Sequence, residues 1–269
     1  MTYSELYSYA KSRLTEYEAM CIMEDIFEFD RSKLAIHGNE IPENKKDFLT
    51  AVEKRAKGIP LQYATGKAYF MGRGYFVGEG VLIPRDDTEV AVNECIEFMT
   101  GNERVIDLCS GSGIIAVTLA KEFPKAEIYA VELENKAFAY LEKNVKYHHA
   151  DVKLVHDSIF NENCVEGEFD IIISNPPYIC TDIIPDLQSE VQYEPKTALD
   201  GGNDGLDFYR CIAEKWVKKL RKGGKIILEI GEEQAKSVGE LLKVQEITQI
   251  SVVKDIQNLD RVVFGTVRK

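Results

Sequence analysis

Asn175-Pro176-Pro177-Tyr178 follows directly on the run Phe169-Asp170-Ile171-Ile172-Ile173. That run is apolar and β-branched, the texture of a strand buried on both faces. Two consecutive prolines cannot continue it. They leave a polar Asn, two stiff residues without N–H groups and an exposed aromatic at a strand's carboxyl end, the edge at which open α/β sheets bind ligands. A second turn, Asp107-x-x-x-Gly111-x-Gly113, separates a strand-like run from a helix-like one, where backbone N–H groups and the helix dipole converge. Glycine in such a turn lets a ligand approach the backbone closely. The turn is neither a complete dinucleotide fingerprint, since Val117 and Thr118 stand where a third glycine would, nor a P-loop, since Gly-Lys-Ser/Thr is missing. Glu132 ends the next strand, where an acid can hold two ribose hydroxyls. Asp157 ends the third, where a carboxylate can accept from an exocyclic adenine amine while Ile159 packs on the ring. Each acid alone also reads as a helix cap or a solvated charge. Three at successive strand ends read as one site.

The elements that must position these residues follow from periodicity. Strands are predicted at 104–108, 127–131, 152–156, 169–173 and 225–230, with helices at 114–122, 135–147, 208–220 and 232–242 and two closing strands near 246–253 and 261–267. Such alternation implies a mainly parallel sheet, with an antiparallel hairpin at its end. A further helix is predicted at 90–99, capped by Asp86 or Asp87. Arg85 stands at that helix start, either paired with neighbouring carboxylates or turned toward a ligand. Ahead of this, residues 3 to 57 carry apolar residues at helical spacing, Leu6, Tyr9, Ala10, Leu14 and Tyr17 first, and read as a bundle of three to five helices. From Ile59 to Pro84, short β-rich runs punctuated by glycine read as a β-hairpin.

Composition narrows the function classes. The chain has 269 residues, 45% hydrophobic and 29% charged, enough for one large or two unequal globular domains. No apolar run reaches the roughly 18–20 residues of a membrane helix, and the start lacks the basic and apolar regions of a secretion signal. The six cysteines are scattered without a C-x-x-C pair and read as reduced thiols, which places the chain in a cytoplasm. His148-His149 is the one histidine pair, and adjacent helical side chains diverge, so no metal site is expected. A net charge of −12 argues against stable nucleic-acid binding, because gripping phosphates requires a basic face.

Asp107-Leu108-Cys109-Ser110-Gly111-Ser112-Gly113, Glu132 and Asp157 together resemble the cofactor signature of class I S-adenosylmethionine-dependent methyltransferases. Asn175–Tyr178 resembles the motif of those that methylate a planar, sp²-bonded nitrogen. More narrowly, the chain resembles the HemK/PrmC family, the protein-(glutamine-N5) methyltransferases of peptide chain release factors. The likeness runs through Pro60-Leu61-Gln62-Tyr63, Ile83 to Glu89, Asn175 to Tyr178, Glu194 to Leu206 and Glu229-Ile230-Gly231. The family commonly has Gly-Thr at Cys109-Ser110 and Asp at Glu132; Ser keeps the hydroxyl and Glu the carboxylate. The resemblance implies an α/β fold, a Rossmann-like, mostly parallel seven-stranded sheet with a small N-terminal helical domain and a β-hairpin linker. The domains would be a helical docking domain at 1–58, the linker at 59–84 and the methyltransferase at 85–269.

The resemblance further implies S-adenosylmethionine as cofactor, with S-adenosylhomocysteine as product. Its expected contacts are Asp107, Cys109, Ser110, Gly111, Ser112, Gly113, Glu132, Asp157, Ser158, Ile159 and Asn175. Substrate would meet Asn175, Pro176, Pro177 and Tyr178. The implied substrate is the glutamine of the Gly-Gly-Gln motif in class I release factors. An amide nitrogen is a poor nucleophile, its lone pair being delocalised into the carbonyl. Asn175 through its side-chain oxygen and Pro176 through its backbone carbonyl would accept the two N–H bonds and fix the line of attack. Tyr178 would stack on the flat amide and favour nearby positive charge. The rival readings are an adenine-N6 or guanine-N2 nucleic-acid methyltransferase and a non-enzymatic release-factor- or ribosome-binding module with a vestigial cofactor pocket.

Overall fold

The computed structural model describes residues 1–268 of the chain. Lys269, the last residue of the expected 85–269 part, lies outside the described residues.

Residues 3 to 56 form four helices, α1 (Tyr3–Lys11), α2 (Glu16–Phe27), α3 (Arg31–His37) and α4 (Lys45–Ala56). The breaks come where capping residues compete with helical continuation. Thr2 and Thr15 each form a capping box with a glutamate three residues on, and Asp30 accepts from the Lys33 N–H. The expected α1 stripe through Leu14 and Tyr17 is therefore cut at Thr15, and Tyr17 is exposed. Leu6, Ala10, Ile22, Met23, Phe48 and Val52 make a core belonging to these helices.

The 59–84 stretch opens with a helix that the β-rich reading missed, α5 (Leu61–Thr65), because Pro60 favours a helix start and Gly66 ends it in the left-handed region. The hairpin proper is β1 (Lys67–Phe70) with β2 (Arg73–Phe76), antiparallel, Phe70 opposite Arg73. It continues into an irregular strap up to α6 (Thr88–Phe98). Asp87 holds the N-cap position of α6 but makes no cap hydrogen bond; its carboxylate faces Arg261 at 3.5 Å.

The rest is built on seven strands. They are β3 (Arg104–Leu108), β4 (Glu127–Glu132), β5 (Val152–His156), β6 (Phe169–Ser174), β7 (Leu220–Glu229), β8 (Ile247–Lys254) and β9 (Asp260–Val267). Their order is β5-β4-β3-β6-β7-β9-β8, parallel except for β9, which is antiparallel to both neighbours. On one face, α6, α7 (Ile114–Glu122) and α8 (Asn135–His148) cover a core around Val105, Leu119 and Leu141. The other face is covered by α9 (Asp207–Cys211), its continuation and α10 (Ala235–Val244), around Trp216, Ile172 and Leu242.

Two boundaries differ from expectation. The helix expected at 208–220 passes at Ile212 into a wide π turn and then a tight 3₁₀ turn to Lys219. Trp216 in that turn is fully buried and donates through its indole N–H to the Ile159 carbonyl at 2.7 Å. Gly223 and Gly224 lie inside β7 rather than before it, where pairing with β6 jumps from Leu220 opposite Phe169 to Lys225 opposite Ile171.

Strand order reverses between β3 and β6, which opens a crevice at their carboxyl ends. Register aligns everything there. Leu108 lies opposite Val131 and Ser174, Ser174 opposite Leu228, and Glu132 opposite His156. Cys109, Glu132, Asp157, Asn175 and Glu229 are thus brought to one edge.

Candidate functional site

A cavity of about 370 Å³ occupies that crevice. Of the residues singled out in the sequence, Cys109, Ser110, Gly111, Ser112, Glu132, Asp157, Ser158, Ile159, Asn175 and Pro177 line it. Asp107, Gly113, Pro176 and Tyr178 do not.

The floor is the turn between β3 and α7. Gly111 has φ +55°, and a Cβ placed on it would meet no atom within 4 Å. It would stand in open space at the cavity wall, so this glycine leaves room for a ligand to reach the backbone. Gly113, at φ +84°, serves packing instead, since a Cβ there would lie 2.4 Å from Leu141 Cδ1. Cys109 is also left-handed, at φ +61°, a conformation that glycine adopts more readily. The Ser110 N–H donates to the Val131 carbonyl at 3.0 Å and its hydroxyl to the Asp107 carbonyl at 2.9 Å.

Asp107 lies beneath the turn, fully buried, and neither carboxyl oxygen has a hydrogen-bond partner among the described residues. Burial pushes its pKa up to about 8, so the group is largely protonated at neutral pH. Glu132 does reach the cavity. One carboxylate oxygen accepts from the Gly111 N–H and the other from the Glu134 N–H, both at 2.8 Å. Burial raises its pKa, and these backbone donors oppose the rise. Further along the wall, Asp157 accepts from the Ser158 N–H at 2.6 Å and from Asn161 Nδ2 at 3.0 Å. Apolar Leu133 and Phe160, exposed at the rim beside Ile159, were not anticipated. An acid at the end of β4, an acid at the end of β5, apolar flanks and a glycine that leaves space fit a nucleoside with a charged arm.

Asn175 closes the other side. Its Nδ2 donates to Thr88 Oγ1 at 3.1 Å, and among the described residues no donor reaches its Oδ1. Tyr178 is not the exposed aromatic expected. It is half-buried against the α9 and α10 side of the sheet. Burial, with Glu229 nearby, pushes its hydroxyl up to about 12. Two braces fix the turn. Gln234 donates to the Tyr178 carbonyl at 2.9 Å and accepts from the Gly231 N–H, which keeps 231–234 out of the expected helix start. The Ile179 N–H donates to the Leu199 carbonyl and the Gly201 N–H to the Ile179 carbonyl. Gly205 comes so near that a Cβ on it would lie 2.3 Å from the Tyr178 carbonyl oxygen.

The stretch from Glu194 to Leu206 therefore acts largely as scaffolding for this turn. Glu194 is buried, accepts from the Ile83 N–H at 2.9 Å and pairs with Arg85. Arg85 lines the cavity while paired with a carboxylate remote in sequence, not with its neighbours. Asn144 is a further buried polar residue that no motif flagged. It accepts from the Phe76 N–H and donates to the Phe76 and Ser112 carbonyls, tying hairpin, α8 and the glycine turn together. His148 donates through Nε2 to the Gly74 carbonyl at 2.9 Å.

Residues 89–187 match the Methyltransferase small domain family and residues 5–66 the PrmC N-terminal domain family. The chain is 40% identical to a Release factor glutamine methyltransferase of Thermodesulfovibrio yellowstonii over 255 residues, 92% of this chain and 91% of that one. It is 42% identical over 217 residues to the protein of that name from Geobacter sulfurreducens, 80% of this chain and 76% of that one. Among solved structures, a methyltransferase from Pyrococcus furiosus shares the fold, with a TM-score of 0.56 at 18% identity over 84% of this chain and 98% of that one. The fold is also that of a 16S rRNA N2 G1207 methyltransferase of T. thermophilus solved with AdoMet and guanosine. Here the TM-score is 0.54 at 18% identity, over 75% of this chain and 50% of that one.

Proposed function

The chain belongs to the release factor glutamine methyltransferase family, and on that premise we propose that it methylates the side-chain nitrogen, N5, of the Gly-Gly-Gln glutamine in class I peptide chain release factors. The methyl donor is S-adenosylmethionine, which supplies an electrophilic methyl on a sulfonium centre. The observation that carries the chemistry is the cavity itself, which joins Gly111, Glu132 and Asp157 on one side to Asn175 on the other. Glu132 would hold the ribose, Asp157 with Ser158 and Ile159 the adenine, and the turn from Cys109 to Ser112 the charged arm. Asp107 and Gly113 contribute from beneath, by packing.

Asn175 Oδ1 and the Pro176 carbonyl would accept the two N–H bonds of the substrate amide. Both acceptors favour a pyramidal nitrogen whose lone pair points along one line, a positioning effect worth several kcal/mol. Pro177 and Tyr178 keep that geometry stiff. No dedicated base is required, since an N-methylated, protonated amide loses its proton readily.

Residues 1–58 would dock the release factor, 59–84 link, and the part from 85 on carry out the transfer. Among the described residues no helix is long and apolar enough to cross a membrane; the translation-linked substrate proposed here supports a cytoplasmic protein. Adenine-N6 or guanine-N2 methylation of nucleic acid is not favoured, because the curated relatives at 31–42% identity share the glutamine-methyltransferase name. The test is incubation with radiolabelled S-adenosylmethionine and, separately, release factor, tRNA, rRNA and DNA. Label is expected on the release factor's Gly-Gly-Gln peptide. Label on nucleic acid alone would overturn the reading.

A further inference from the structure

We infer that Thr88 is a positioning residue for the transfer, holding the Asn175 amide with its NH₂ turned away from the substrate. The inference rests on the reading of Asn175 Oδ1 as acceptor for the substrate amide. Three separate stretches meet here. Ser174 pairs with Leu228, so Glu229 stands beside Asn175 at the end of the neighbouring strand. Thr88, the first residue of α6, is 1% exposed, lines the cavity and takes the Asn175 Nδ2 hydrogen at 3.1 Å.

A hydroxyl has one proton, and one that accepts from Asn175 must place that proton elsewhere. The neighbouring Glu229 side chain is 1% exposed and outside the cavity wall, and its Oε2 has no hydrogen-bond partner among the described residues. A lone pair of the Thr88 oxygen takes the Asn175 hydrogen. The Asn amide is held with its NH₂ toward Thr88, and Oδ1 is left to the cavity. Turned over, the amide would present NH₂ to a substrate NH₂, donor against donor.

The experiment uses the full chain with S-adenosylmethionine and release factor. Thr88→Val keeps the shape and removes the hydroxyl; it should lower kcat about 100-fold, the effect of a misoriented catalytic group, with KM for the cofactor changed by no more than about twofold. Thr88→Ser should restore most of that loss. A Thr88→Val enzyme with near-normal kcat, or a Thr88→Ser enzyme as slow as Thr88→Val, would overturn the inference. A second readout needs no methyl acceptor. The Asn175 side-chain ¹H–¹⁵N pair, assigned by its loss in Asn175→Ala, should shift in Thr88→Val; an unmoved pair also overturns the inference. Failure of the wild-type protein to label release factor would instead count against the proposed substrate, and the NMR arm would still decide the role of Thr88.

Discussion

Asn175→Ala removes the acceptor without touching Glu132 or Asp157. Transfer should fall by at least about 100-fold, with S-adenosylmethionine affinity by calorimetry largely retained. Turnover close to wild type would remove Asn175 from the chemistry. Asp107 carries a prediction of a different kind. Its folded-state pKa, about 8, lies above the ordinary carboxylate value, so the folded chain holds a proton that the unfolded chain has already released. Stability should therefore decline as pH rises from about 4 toward 8. Glu229, raised to about 7 by burial, adds to the same slope. Asp107→Asn should flatten the decline and stabilise the protein near pH 8 by roughly 2–5 kcal/mol, measured by urea unfolding at several pH values. An unchanged slope would show that the Asp107 carboxyl is not the group responsible. At this scale much was legible. Asn175, Glu132 and Asp157 announced themselves by residue type at a strand end. The depth of Asp107 did not, because a carboxylate reads as polar whichever side of the backbone it occupies. Thr88 and Asn144 were silent because hydrogen bonds across 87 and 68 residues leave no local pattern.

The turn between β3 and α7 separates two uses of glycine, and substitution should separate them too. Gly111→Ala faces open space, so its cost to folding should stay near the 1 kcal/mol of a left-handed alanine. Cofactor affinity should drop by about tenfold or more, since the methyl occupies ligand space. Gly113→Ala drives a methyl into Leu141 and should lower the melting temperature clearly. Calorimetric titration beside thermal unfolding checks both; equal effects in the two assays would refute the division. Elements with a clear period were located almost to the residue, β3, β5 and α7 among them. Those whose boundaries shifted are governed by partners distant in sequence. The Gln234 side chain delays α10, and Trp216 lies in a π turn against Ile159, where a regular helix was expected.

At the scale of the molecule, Arg55 joins the helical part to the transferase. It pairs with Glu18 and Glu190, both at 2.7 Å, and donates to the Ile59 carbonyl at 3.1 Å. Glu190 is half exposed, so Glu190→Ala should cost no more than about 1 kcal/mol. Arg55→Ala removes all three partners from a largely covered site and should cost about 2–3 kcal/mol. Denaturant unfolding of both variants and of the double mutant checks this; equal losses would mean that Glu190 alone carries the contact. The sheet class and the helical preface were readable from alternation and period. The way the preface is fastened was not, because ion pairs between residues 37 and 135 positions apart have no sequence signature.

The register that sets Leu108 opposite Ser174, and Ser174 opposite Leu228, has a consequence for how this gene can change length. Removing one codon within Ile171–Ile173 would draw Asn175 back by about 3.3 Å and turn the side chains beyond the deletion to the opposite face. The same loss near Gln188, in the loop after the tetrapeptide, would be absorbed by chain that pairs with no strand. A library of single-codon deletions, selected for release-factor methylation, should therefore be emptied across β3, β4, β6 and β7 and populated in the loop around Gln188. Survivors inside β6 would mean that the sheet does not set the spacing of the site.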